Sequence, residues 1–175
     1  MTVSKRNWAT VLVMALALSA CESSTEYNNV VVTPDYDPAL VRKAVRNGAL
    51  VTEVIGSPSQ LTGERAIADA MEMPPHFRGV LLAGEPPTGP GNPTTRLVLS
   101  FDSSKRTTPD RMCAAATAIR PRPGKDLNLT AALCVGEKPV AYGHVSGASY
   151  SSLTLKEFRA ISANFLGQVM PASRS

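Results

Sequence analysis

Three cysteines and two histidines carry most of the chemistry open to this chain. His76 lies between Pro75 and Phe77, while His144 shares one face of an alternating run with Tyr142 and Ser146. An imidazole on a strand face can act as general base toward a serine hydroxyl, so the catalytic reading is a periplasmic hydrolase using His144 and a nearby Ser. No GxSxG elbow, HExxH helix or glycine-rich phosphate loop accompanies it. The run from Gly84 to Gly91 does not serve as a phosphate cradle, because its prolines remove backbone donors. Cys113 and Cys134 show no CxxC spacing, and two thiols do not complete a zinc site. No catalytic residue, metal ligand or cofactor is therefore assigned, and a non-catalytic binding or structural module is the leading expectation.

The remaining cysteine stands in a different context. Lys5 and Arg6 form a short basic head, and from Trp8 to Ala20 the chain is uncharged and mostly Ala, Leu, Val and Met. That is the pattern of a secretory leader. Those residues would rise only about 20 Å as a helix, against the roughly 30 Å that a spanning helix must cross. The segment Leu18, Ser19, Ala20, Cys21 closes the leader with a branched apolar residue, two small residues and a thiol. It resembles the lipobox of bacterial lipoproteins, a resemblance confined to residues 1–21. It implies that Cys21 receives a diacylglycerol, that the leader is cut just before it, and that the new amine takes a further acyl chain such as palmitate. Each buried CH₂ contributes roughly 0.8 kcal/mol, so two or three chains hold a protein firmly where one binds reversibly. The expected location is the bacterial cell membrane, lipid-anchored and facing the periplasm or the exterior. Glu22, where Asp would favour inner-membrane retention in enteric Gram-negative bacteria, leans toward the outer membrane.

With Cys21 lipidated, Cys113 and Cys134 remain as an even pair in an oxidising compartment, and a disulfide between them is expected. A redox-active or metal-binding pair is the alternative. Removing Lys5 and Arg6 with the leader takes 18 basic residues to 16, against 14 acidic. A balance near +2 gives little field for phosphate binding, and aromatics at 5% offer few stacking platforms, so no nucleic-acid partner is expected. One local excess stands out: Lys105, Arg106, Arg111, Arg120, Arg122 and Lys125 face only Asp110 within their run. Such runs are ordinarily solvated surface; the functional alternative is a patch for an anionic envelope component. The partners expected are the membrane, through the anchor, and an envelope protein or cell-wall component.

The elements that must position these groups read as follows. Residues 21–36, rich in Ser, Thr, Asn and Tyr, read as a flexible tether, with Val30 to Val32 as an alternative edge strand. Asp37 and Pro38 open a helix that Gly48 ends, and Ala49 to Ile55 reads as a buried strand. A second helix runs from Gly63 to Met73, stopped by Pro74 and Pro75, and a strand follows from Phe77 to Ala83. Gly84 to Pro93, with four Pro and three Gly, reads as a stiff hairpin connection to an alternating strand at Thr95 to Asp102. Thr108 and Pro109 begin a short helix; Leu127 to Val135 and Val140 to Ser146 form a hairpin about Gly136, Glu137 and Lys138. Thr154 and Glu157 make a capping box for a closing helix that presents Leu155, Phe158, Ile161, Phe165 and Val169. The irregular alternation and the hairpin predict an α+β two-layer domain with a mainly antiparallel sheet and a C-terminal amphipathic helix. The expected organisation is a leader at 1–20, a tether at 21–36 and one domain at 37–175.

Overall fold

The computed structural model describes residues 25–45, 47–57, 64–83, 95–101, 107–122 and 124–173; the expected leader, Cys21 and the loop at 84–93 lie outside them. The fold is α+β, as the element pattern predicted. Six strands, β1 (Glu26–Val32), β2 (Ala49–Ile55), β3 (Leu81–Ala83), β4 (Thr95–Ser100), β5 (Asp126–Val135) and β6 (Lys138–Ser149), form one sheet in the order β1-β6-β5-β4-β2-β3. The β1-β6, β6-β5 and β5-β4 pairs are antiparallel, whereas β2 runs parallel to both β4 and β3.

Alternation along the strands separates two layers of side chains. Leu50, Val54, Leu97, Leu99, Leu129, Leu133 and Val145 point into the larger core, where they meet helices α1 (Pro38–Ala44), α2 (Glu64–Ala70) and α4 (Leu155–Val169). On the opposite face Ile55, Val98, Ala132 and Cys134 pack against helix α3 (Pro109–Ala115) and the 3-10 turn that follows it, through Met112, Cys113 and Ala116. Local signals account for where the helices begin. Asp37 accepts a hydrogen bond from the Ala39 N–H at 2.7 Å with Pro38 following it, and Thr108 receives the Arg111 N–H. The capping box of α4 is formed in both directions: Thr154 N–H donates to Glu157 Oε2 at 2.8 Å, and Glu157 N–H donates to Thr154 Oγ1 at 3.3 Å. Close approach of α4 to the sheet needs Gly143, since a Cβ there would lie 3.0 Å from Val169, 3.1 Å from Phe165 and 3.1 Å from Val30.

Four expectations are corrected. Residues 26–36 are not a flexible tether: Glu26–Val32 is an edge strand on β6, the alternative reading of the Val run, and Tyr36 is fully buried, its hydroxyl donating to Pro171 O at 2.7 Å. The strand expected from Phe77 is confined to Leu81–Ala83, since Pro75–Phe77 forms a 3-10 turn that buries Phe77. The connection from β3 to β4 is no hairpin: both strands run parallel to β2 on opposite sides of it, and parallel strands require a crossover. Leu155 does not join the buried face of α4 but stands 51% exposed in its first turn, beyond the sheet it was expected to cover.

Candidate functional site

A covalent and polar node adds to the apolar packing that holds helix α3 on the sheet. Cys113 in α3 and Cys134 in β5 form a disulfide with Cα atoms 5.4 Å apart, and both residues are fully buried. Arg96, on the same face of β4, places its Nε 2.9 Å from Glu53 Oε1 of β2 and donates from Nη1 to Gly136 O at 2.7 Å. From Nη2 it donates to Cys113 O, a terminal carbonyl of α3. One planar guanidinium thus ties together β2, the β5-β6 turn and the end of α3, a use that the fixed fork of Arg suits and Lys does not. Cross-strand pairing explains the position: Arg96 lies opposite Cys134.

His144 belongs to a polar row that crosses four strands on the α3 face. The register sets Asn28 of β1 opposite His144, His144 opposite Thr130, and Thr130 opposite Ser100. A second row, Glu26, Ser146 and Asn128, runs beside it. Thr130 Oγ1 and His144 Nδ1 are hydrogen-bonded at 3.1 Å. Burial lowers the His144 pKa from its ordinary value, which favours the neutral ring. Ser100 is 1% exposed and its hydroxyl has no hydrogen-bond partner among the described residues.

Ser100 stands two strands from the imidazole with Thr130 between them, and Ser146 lies two residues from it on the same face of β6; among the described residues neither is hydrogen-bonded to His144, whereas a base and nucleophile need direct hydrogen-bond reach. Among the described residues no carboxylate is hydrogen-bonded to His144. His76 serves the architecture. Its Nε2 lies 2.6 Å from Met170 O, its ring packs on Phe77, and it joins the turn after α2 to the end of α4. Among the described residues no three His, Cys, Asp or Glu side chains gather as a metal site.

A groove of about 330 Å³ opens beside β3, lined by Met71, Glu72, Arg78, Leu81, Leu82 and Ala163 among others. The Glu72 N–H at its rim donates to the buried Ser162 hydroxyl of α4 at 3.1 Å. The groove escaped sequence reasoning because its walls come from segments about 90 positions apart. The polar row was more accessible: Ser100, Thr130 and His144 each occupy the outward parity of an alternating strand, and only their alignment was missing. Of the residues singled out in the sequence, the structure joins Cys113 to Cys134, gives His144 a hydroxyl neighbour, and does not describe Cys21.

No helix among the described residues is long and apolar enough to cross a membrane. Compared with protein-family models, curated proteins and solved structures, the chain finds no match.

Proposed function

We propose that this protein is a bacterial envelope lipoprotein. It is exported, acylated on Cys21 and held at the membrane surface, where it presents one α+β domain as a non-catalytic binding or structural module for an envelope protein or cell-wall partner. The observation that carries the reading is the basic head and apolar segment closing on Leu18, Ser19, Ala20, Cys21. The buried Cys113–Cys134 disulfide supports it, because an oxidising compartment makes and keeps such bonds. Engagement of Arg96, His76 and His144 in contacts that join elements supports a structural rather than a catalytic use of the polar groups.

Intact mass of the native product tests the anchor. A mature chain beginning at Cys21 and carrying a thioether-linked diacylglycerol is expected, and Cys21→Ser should abolish incorporation of labelled palmitate and leave the precursor uncut. An unmodified sulfhydryl at Cys21 would remove the reading. Crosslinking in intact cells should recover an envelope partner. A serine-reactive probe that labels the protein in a His144-dependent manner would replace the binding module with a hydrolase.

A further inference from the structure

The shortened tether restricts how an anchored domain can sit. Only residues 22–25 separate Cys21 from the first residue of β1, and an extended chain advances at most about 3.6 Å per residue, so the two Cα atoms are at most about 18 Å apart. A domain of this size measures roughly 40 Å across, taking its radius of gyration as about 15 Å. The attachment is thus shorter than the body it holds, and the end of the sheet where β1 enters cannot turn away from the bilayer.

That end has a distinct surface. β5 and β6 overshoot β1 there, since Glu26 pairs with Ser146 while Asp126 pairs with Ser149, three positions or about 10 Å further along. Beyond the overshoot lie Lys125, whose carbonyl receives the Tyr150 N–H, and the turn leading to α4. Arg120 and Arg122 flank Pro121, which lies against Gly56 at the ends of β2 and β4 on the same side. Arg120, Lys125, Lys156 and Arg159 are all exposed there, beside Arg122, which is engaged in a contact of its own, against Glu26, Asp126 and Glu157. Of those acids, Glu157 is committed to the α4 capping box. Beside Lys156 stands Leu155, one of three large apolar side chains exposed among the described residues.

We propose that this end of the sheet lies on the bilayer as a docking surface for anionic phospholipid, with Leu155 entering the headgroup region and the cations facing lipid phosphates. The inference rests on the anchoring at Cys21 proposed above and adds an orientation to it. In that orientation the β5-β6 turn at Gly136–Glu137, at the opposite end of the sheet, points away from the membrane.

The test supplies the attachment chemically. The chain from Cys21 onward, with Cys113 and Cys134 bonded, is coupled through the Cys21 thiol to a maleimide phospholipid. The vesicles are either phosphatidylcholine alone or phosphatidylcholine with phosphatidylglycerol. Reaction of each lysine with a water-soluble acylating reagent is then mapped by mass spectrometry. Since each cation near an anionic leaflet is worth about fivefold in partitioning, Lys125 and Lys156 should react at least about threefold more slowly than Lys43 and Lys138 on phosphatidylglycerol vesicles. Arg120→Glu with Arg159→Glu should restore their reaction, and Leu155→Asp should do so in part, with the disulfide intact in the same maps. Equal rates at all four lysines on both vesicles, or protection of Lys138, would overturn the proposal. Acylation of Cys21 in cells is read separately from the mass of the native product, so loss of the anchor and loss of the orientation give different results.

Discussion

Replacing both Cys113 and Cys134 by Ala should free α3 from the sheet while leaving the larger core in place. The bond closes a loop with a sequence separation of 21, for which the chain-entropy relation gives roughly 11 cal/mol/K, or about 3 kcal/mol at 25 °C. Against a typical domain margin of about 5–15 kcal/mol that is a large loss, and for a chain of this size it corresponds to a fall in Tm of about 6–12 °C. The structure says where the loss should appear. Helix α3 is seven residues long, too short to persist in water by itself, and it rests on a cluster of eight buried residues separate from the main core. Without the disulfide, the packing of Met112, that of Ala116 in the turn just after it, and the Arg96 bond to Cys113 O are among the ties that remain. Hydrogen exchange should therefore show α3 amides exchanging faster by a large factor, with the amides shared between β5 and β6 changed little. Adding Arg96→Met should couple to the cysteine replacements by at least about 0.5 kcal/mol, because both hold the same residue. A fall in Tm below about 2 °C, or equal loss of protection in α3 and β5, would refute the reasoning.

Four further outcomes follow from individual residues. Gly143→Ala should cost about 1–3 kcal/mol in urea denaturation and speed exchange in β1, because the added Cβ presses on Val30, Phe165 and Val169 together. Burial lowers the His144 pKa below 6.5, so the unfolded chain takes up the proton more readily. Its stability contribution is present above pH 6.5 and lost as pH falls through the folded value. His144→Gln should flatten that part of the profile, measured as the urea midpoint between about pH 7.5 and about pH 5.5. Tyr36 and Tyr150 are pushed up to about 12 by burial, with Arg42 opposing the shift at Tyr36 and the Asn128 backbone opposing it at Tyr150. Two of the four tyrosines should therefore stay protonated well above pH 10 in a spectrophotometric titration, with stability lost as pH rises through that range. Tyr36→Phe, which strips Pro171 O of its donor, should cost about 1 kcal/mol.

Short-range chemistry in the chain was enough to place several elements. The Asp37-Pro38 start, the Thr154–Glu157 box, the β5-β6 hairpin and the bounds of β2 are all written in neighbouring residues, because caps, turns and side-chain parity act over a few positions. Parity also told which residues of β4, β5 and β6 share a face. The tertiary structure alone decided which strands lie side by side. It seated β2 between β3 and β4, drew Glu26–Val32 out of the expected tether onto β6, and aligned Ser100, Thr130, His144 and Asn28 in one row. It also left Leu155 outside the core at the end of the sheet where β1 begins. Periodicity gives each strand two faces but not a neighbour, and neighbours are chosen by the joint burial of side chains far apart in sequence.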